Sequence, residues 1–187
     1  MNSIDANQPE KNYQDVRGED AVKKIREVVK HANSGFFCTQ PAGSGPEAAR
    51  PMYVQQVDDD GNLWFFSATD SHKNQEIAAN PFVRLYFQGS NSEFLLVDGR
   101  AAVLHDRAKI DELWGPMVRV WFTQGKDDPR LSLIRVSPTG GYYWDTKHGM
   151  AVAGVKMVIG MMTGNTLDDG IQGRVAVQAP TPPSATT

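Results

Sequence analysis

The sequence is short of cysteine and of long apolar runs. Cys38 is the only cysteine among the 187 residues, so the chain cannot form an internal disulfide. The longest apolar stretch, residues 151–162, is broken by two glycines and a lysine, whereas a membrane-spanning helix needs about 20 apolar residues. The N-terminal residues lack the apolar core of a secretory signal. We therefore predict a cytoplasmic protein with no membrane partner.

The sequence also lacks an excess of basic residues. Nineteen lysines and arginines face 22 acidic residues, and the net charge is −3. Proteins that bind nucleic acid usually carry a basic surplus or stripe that neutralises phosphates, so we expect no nucleic-acid partner. The four histidines are dispersed and Cys38 has no CxxC partner, so we predict no metal site.

Two familiar catalytic signatures are missing or lie in the wrong context. Residues 43–48 match the spacing G-x-G-x-x-A, but a dinucleotide site needs a helix to open at that motif. A strand-like segment follows instead, which favours a plain loop. The sequence has no G-x-S-x-G elbow, so a serine hydrolase is not favoured either.

Length and composition predict one folded domain with tails. The apolar fraction is 40%, with four Trp, eight Phe and five Tyr, which is enough for a folded core. We predict a flexible N-terminal segment over residues 1–17 and a folded domain over residues 18–164. Residues 165–187 end in APTPPSATT, which offers little to bury, so we predict a disordered tail there.

The apolar pattern predicts an antiparallel β fold with helices at its periphery. In residues 82–88, Val83, Leu85 and Phe87 alternate with polar or less apolar positions, as in a half-buried strand. Asp60-Gly61 predicts a hairpin that pairs residues 49–57 with residues 63–67. About six strands and a few inserted helices make a mainly β, α+β fold. A closed or partly closed barrel would remove most of the exposed strand edges.

The end of the strand at residues 63–67 predicts an anion site. Hydroxyl residues Ser67, Thr69 and Ser71 lead into a helix whose first N–H groups and positive dipole end are free. Lys73 adds a full positive charge, whereas Asp70 would repel an anion. The alternative is an ordinary helix cap with a solvated lysine.

Arg50 is the second candidate cation. In a hairpin that turns at Asp60-Gly61, it would lie across from residues 67–71 and converge with Lys73 on one dianion. The alternative is a surface charge on a strand. Later in the sequence, Trp121, Lys126 and Trp144 are further candidates, with core filling and a surface loop as the alternative.

Taken together, these segments resemble the pyridoxamine 5′-phosphate oxidase-like split-barrel flavoproteins, and among them the general stress protein branch. The matching segments occur in family order across residues 20–164. They are Arg50-Pro51-Met52, Leu63-Trp64-Phe65-Phe66-Ser67, Asp70-Ser71-His72-Lys73, Asn80-Pro81, the run from Asp106 to Trp114, Gly125-Lys126-Asp127-Asp128-Pro129 and Tyr143-Trp144-Asp145.

The resemblance implies a six-stranded antiparallel split β-barrel of the FMN-binding type. It further implies a homodimer with FMN in two clefts at the subunit interface, with FAD as the alternative cofactor. It assigns the flavin phosphate to Arg50, Ser71, His72 and Lys73. The flavin ring is assigned to Met52, Tyr53, Val54, Phe66 and Ser67, with a contribution from the second subunit by Trp121, Lys126 or Trp144.

The sequence departs from the oxidase itself at functional positions. Gln55 and His72 stand where the oxidase has lysine and arginine, so the phosphate site is less cationic. The oxidase's late arginine–histidine substrate motif has no match after Trp144. We therefore expect a flavin-binding general stress protein that does not oxidise pyridoxamine phosphate.

Two functional alternatives stay open for such a protein. One is a flavin-dependent oxidoreductase that accepts hydride from a reduced nicotinamide or another donor. The other is a non-catalytic flavin carrier or sensor. A haem-binding split barrel is a third interpretation, which the scattered histidines disfavour. No residue is predicted as a catalytic acid or base.

Overall fold

The computed structural model describes residues 12–40, 48–90, 92–146 and 170–177. These residues form nine strands and four α-helices with one short 3₁₀ turn at Gly125–Asp127. The elements are β1 (Val16–Arg17), α1 (Glu19–Ala32), β2 (Ser34–Thr39), β3 (Ala48–Tyr53), β4 (Gln56–Val57), β5 (Leu63–Ala68), α2 (His72–Ala79), β6 (Phe82–Gln88), β7 (Phe94–Leu104), α3 (Arg107–Leu113), α4 (Pro116–Trp121), β8 (Leu131–Thr146) and β9 (Gly170–Ala176).

The strands form one mostly antiparallel sheet, which confirms the predicted fold class. The order is β1-β9-β8-β7-β6-β2-β3, and β5 pairs with both β8 and β4. Within the described residues β3 pairs only with β2, so the sheet stays open between β3 and β5. The strand count differs from six because of the two-residue strands β1 and β4 and the seven-residue strand β9. Residues 131–136 and 141–144, expected as separate strands, belong to the single strand β8.

The predicted hairpin is only partly correct. Gly61 turns with φ of 82° as expected, but only Gln56 and Val57 pair with β5. The preceding strand β3 pairs with β2 instead, in a register that puts Arg50 opposite Phe37. The prediction that strand pairing brings Arg50 across from residues 67–71 is therefore wrong. The chain leaves the sheet between Tyr53 and Gln56, which separates the two strands.

Two apolar clusters form the core. The larger lies between α1 and the sheet, where Phe37 and Phe65 meet edge to face with ring centroids 5.3 Å apart. The predicted inward positions Val83, Leu85 and Phe87 are all buried in it. The second cluster packs α3 and α4 against β5 and the start of β8, and comprises Trp64, Ile110, Val118, Phe122, Leu131 and Leu133. No helix in the described ranges combines the length and apolarity needed to cross a bilayer.

The C-terminal part of the chain contributes a strand, which corrects part of the predicted tail. Residues of β9 pair with β8 on one side and, in parallel, with β1 on the other. Val175 is buried in the main core and Ile171 packs against it. This alternation was hidden by the neighbouring proline- and threonine-rich end. Residues 1–11, 41–47, 91, 147–169 and 178–187, which include most of the G-x-G-x-x-A match, lie outside the described residues.

Two adjacent glycines of β8 provide a test of the sheet packing. A Cβ at Gly141 would lie 2.2 Å from the carbonyl oxygen of Leu96, which is backbone and cannot move aside. We expect Gly141→Ala to lower the free energy of unfolding by about 1 to 3 kcal/mol in urea denaturation. Gly140→Ala is the matched control, since its nearest neighbour would be 3.9 Å away. Equal effects of the two substitutions would contradict this packing.

Candidate functional site

The start of α2 provides free backbone donors. Ser71 precedes the helix in an extended conformation, and its side chain does not cap the helix. Its carbonyl accepts from the N–H groups of Asn74 and Gln75 at 3.0 and 3.4 Å. The N–H groups of His72 and Lys73 have no acceptor within the helix, as in the first turn of any α-helix. This end of α2 is therefore suited to an anion.

A buried polar network fixes α2 to the sheet. The Ser67 hydroxyl donates to Asn74 Oδ1 at 2.8 Å, and Asn74 Nδ2 donates to the Ala68 carbonyl at 3.0 Å and to Ser132 Oγ at 3.2 Å. Ser132 in turn donates to the Ser67 carbonyl at 2.9 Å. All three side chains that form the network are buried. The position of the helix start is thus set by β5 and β8.

Arg50 reaches the same helix from β3. Its Nη2 donates to Glu76 Oε2 at 2.9 Å, and the Thr39 hydroxyl donates to the same carboxylate oxygen. Arg50 Nη1 is buried and has no hydrogen-bond partner in the described part of the chain. A buried charged donor without an acceptor lowers the stability of the folded protein. Arg50 Nη1 is therefore available to donate to an oxygen atom of a ligand.

Lys73 is the second cation of the site. Among the described residues it forms no ion pair within 4.0 Å. Burial, followed by the positive charge of Arg50, lowers the pKa of Lys73, and the carboxylates of Asp70 and Glu76 offset part of this effect. The two cations therefore lie close enough to repel each other. An anion with two or more oxygens could compensate both.

The carboxylates of the site are also engaged. Burial would raise the pKa of Glu76, but hydrogen bonds from Thr39 and Arg50 and the charges of Arg50 and His72 outweigh it and lower the pKa. Asp70, expected to repel an anion, interacts electrostatically with Lys73 and Arg130. The negative charge of Asp70 is therefore partly compensated by these two cations, which reduces its repulsion of an anion at the helix start.

Several residues predicted for the site meet there, and others do not. Arg50 and Lys73 influence each other electrostatically near the start of α2, and α2, not strand pairing, places them there. The hydroxyls of Ser67 and Ser71 are 3.3 Å apart, but Ser67 already donates to Asn74. His72 is exposed on the first turn of the helix.

The residues predicted for the flavin ring lie on different surfaces. Met52 and Val54 pack against the main core, and Tyr53 is 58% exposed. The Phe66 ring lies in the second cluster, with centroids 6.2 Å from Trp114 and 6.5 Å from Phe122. Because its side chain is packed there, Phe66 could contact a flavin ring only through its backbone.

The three late candidates lie on separate elements. Trp121 ends α4 and is 74% exposed. Lys126 forms an ion pair with Asp111 at 2.6 Å. Trp144 lies near the end of β8, with its ring centroid 4.6 Å from that of Tyr142. Within the described residues, none of the three shares a hydrogen bond, ion pair or ring contact with Arg50.

Trp144 belongs to an exposed surface that we call the aromatic face. The register pairs Phe36 with Tyr86 and Phe94 with Trp144 on one side of the sheet, and all four rings are at least 40% exposed. They line a groove of about 570 Å³ together with Pro51 and Leu96. The described part of the chain leaves this apolar groove uncovered.

Sequence reasoning missed three residues that organise the site. Glu76 lies three residues after Lys73 in a predicted helix, so the helical period alone could have placed both on one face. Asn74 is polar but 93% buried, since its exposure is 7%, and no local pattern indicates this. Thr39 joins the site only because β2 pairs with β3, which sequence reasoning did not anticipate.

Comparison with known proteins gives a consistent set of similarities. A family model described as pyridoxamine 5′-phosphate oxidase like matches residues 20–168. A solved structure of a general stress protein 26 from Jannaschia sp. CCS1 is 26% identical, covers 84% of this chain and 98% of that chain, and has a TM-score of 0.71. A general stress FMN/FAD binding protein from Xanthomonas citri is 27% identical, covers 66% of this chain and 87% of that chain, and has a TM-score of 0.58.

A curated relative matches less completely. Protein bli-3 from Neurospora crassa is 24% identical in an alignment of 134 residues, and the match covers 65% of this chain and 64% of that protein. The match therefore spans less than two thirds of the length of this relative.

The Asn74 network yields a prediction about stability. Asn74→Ala removes the partner of buried groups on Ser67, Ala68 and Ser132, so we expect the free energy of unfolding to fall by about 2 to 3 kcal/mol. Gln75→Ala, at the next and exposed position of α2, is the control and should change it by less than about 0.5 kcal/mol. Urea denaturation of both variants measures the difference, and similar small losses would show that the network does not hold α2.

Proposed function

The chain belongs to the pyridoxamine 5′-phosphate oxidase-like family, and on that premise we propose that it is a flavin-binding general stress protein. The observation that carries the proposal is the buried Arg50 Nη1, which has no acceptor among the described residues and lies in a site shared with Lys73. FMN is the proposed cofactor and FAD the alternative. The FMN/FAD binding protein of Xanthomonas citri supports a flavin in this family.

The donors of the site suit a terminal phosphate. Arg50 and Lys73 would form charge-assisted hydrogen bonds with its oxygens. Ser71 and the free N–H groups at the start of α2 would add neutral donors, and His72 lies on the same turn. A phosphate dianion would also neutralise the mutual repulsion of the two cations. These properties favour a monophosphate over an uncharged ligand.

The remaining predicted contacts concern the flavin ring. We propose that two backbone segments flank the ring, residues 52–54 and residues 66–67. The side chains of Met52, Val54 and Phe66 pack against the two core clusters. Tyr53 is exposed and the Ser67 hydroxyl donates to Asn74. A bound flavin would supply hydride and electron transfer. This chain would supply phosphate anchoring and orientation. We assign no catalytic acid or base.

We further propose that the protein is a homodimer built on the aromatic face. A contiguous exposed apolar patch such as these four rings often marks an interface, and a second copy is a self-complementary occupant. Trp144 lies on this face, so it is the strongest of the three late candidates for a contact with flavin bound to the other subunit. Trp121 and Lys126 lie over the second core cluster, near the opposite end of β8, and stay weaker candidates.

The proposal does not extend to oxidation of pyridoxamine phosphate. That substrate needs a second basic clamp for its own phosphate. Lys147, His148 and Lys156 lie outside the described residues. Arg174, expected at the edge of a disordered tail, instead lies in β9 opposite Tyr142. Arg174 alone does not replace the arginine–histidine substrate motif of the oxidase.

An oxidoreductase and a flavin carrier can be separated by one assay. The protein loaded with FMN is mixed with reduced nicotinamide, and bleaching of the flavin is followed against free FMN. Bleaching faster than the uncatalysed rate would favour the enzyme, with the reduced nicotinamide as electron donor. An unchanged rate would favour the carrier or sensor.

Phosphate anchoring predicts a difference between two flavins. We expect Lys73→Ala to weaken FMN binding by about 10- to 150-fold, corresponding to about 1.5 to 3 kcal/mol for a lost charged hydrogen bond. Riboflavin, which has no phosphate, should bind equally to both proteins. Quenching of flavin fluorescence measures both affinities. Lys30→Ala, an exposed position on α1, is the control, and equal losses for FMN and riboflavin would contradict the assignment.

The dimer predicts a mass of twice 20.6 kDa in solution. We expect Phe36→Glu to halve that mass in light scattering, because it would bury a charge in the apolar interface. Val120→Glu is the control, since Val120 is exposed on α4 away from the aromatic face. A monomeric wild-type protein at micromolar concentration, with or without FMN, would refute the dimer.

A further inference from the structure

Glu76 places a negative charge inside the site to which the proposed function assigns an anion. Its side chain is 17% exposed, and its Oε2 lies 2.9 Å from Arg50 Nη2. A phosphate bound by Arg50 would therefore share the guanidinium with a carboxylate of the same sign. Such an arrangement weakens the binding of the phosphate compared with a site that contains only cations.

The carboxylate is held in this position from two sides. Thr39, which is fully buried on β2, donates to the same oxygen that accepts from Arg50. The lowered pKa of Glu76 keeps the group ionised at neutral pH. Glu76 could leave Arg50 only by breaking its bond with Thr39, so its charge stays in the site.

The same charge serves the protein when the site holds no ligand. Arg50 and Lys73 lie close enough for the charge of Arg50 to lower the pKa of Lys73, and Glu76 counteracts that effect. Without Glu76, Asp70 would be the one carboxylate of the described residues that offsets this effect on Lys73, and Asp70 also interacts with Arg130. Like charges that are partly removed from water oppose folding.

We propose that Glu76 is a built-in counter-ion, which stabilises the chain before a flavin phosphate binds and competes with that phosphate for Arg50 afterwards. The proposal rests on the proposed function, because the competing anion is the flavin phosphate. In this role Glu76 lowers the affinity for the flavin phosphate and does not contribute to its binding. A single charge then has opposite effects on the stability of the ligand-free protein and on the affinity for FMN.

The test is Glu76→Gln, which keeps the shape and an oxygen acceptor for Arg50 and Thr39 but removes the charge. We expect the melting temperature of the ligand-free protein to fall and FMN to bind about tenfold more tightly. The affinity for riboflavin should not change. Calorimetry gives the melting temperatures, and fluorescence titration gives the two affinities.

Two control variants separate charge from structure. Thr39→Val removes a hydrogen bond to Glu76 but keeps the charge, so it should lower the melting temperature without tightening FMN. Glu112→Gln removes an exposed carboxylate on α3, which pairs with Lys109, and should change neither quantity by a comparable amount. Only Glu76→Gln should combine lower stability with tighter binding.

Weaker binding of FMN to Glu76→Gln would overturn the proposal and would make Glu76 a positioning residue for Arg50. Equal tightening of FMN and riboflavin would also overturn it. Inorganic phosphate serves as a probe without flavin, and it should raise the melting temperature of Glu76→Gln more than that of the wild type. If neither flavin binds the wild type while phosphate gives this difference, the flavin assignment fails and the counter-ion stands. If phosphate gives no difference either, both fail.

Discussion

Helix α2 bridges the two sides of a sheet that stays open within the described residues, and the site depends on this bridge. On one side Asn74 bonds to Ser132 of β8 and to the Ala68 carbonyl of β5. On the other side Glu76 accepts from Thr39 of β2 and Arg50 of β3. In the described residues the facing edges of β3 and β5 do not pair with each other. A helix fixed by polar side chains holds the edges together and keeps its own N-terminus free.

This bridge brings charges into a partly buried place where water compensates them poorly. The cost of holding Arg50 and Lys73 together is reduced by Glu76, which lies one turn further along the same helix. The charged groups of Arg50, Lys73 and Glu76 thus affect both the stability of the folded chain and the binding of an anion. The residues that bind an anion best are those whose repulsion the ligand-free protein must otherwise counteract.

The sequence predicted the parts of this arrangement that depend on local pattern. Alternation located Val83, Leu85 and Phe87, and the hydroxyl-rich turn before Lys73 located the start of α2. The pairing of β3 with β2 could not be predicted, because the turn at Asp60-Gly61 suggested a longer hairpin and the choice of partner depends on tertiary packing. Asn74 and Thr39 gave no signal, since a polar residue is normally exposed. Strand β9 was missed because its apolar alternation is weak and the proline- and threonine-rich residues that follow it are typical of a disordered tail.

The pairing of β1 with β9 joins parts of the chain that are far apart in sequence, with Val16 opposite Val175. During synthesis on a ribosome, residues of β1 emerge early and must wait for β9 before they have a partner. Until then β8 has an unpaired edge along residues 141–146, and Val175 is absent from the core. Closing so long a loop is slow compared with forming a hairpin. Among the described strands, β9 therefore completes the sheet and fixes β1.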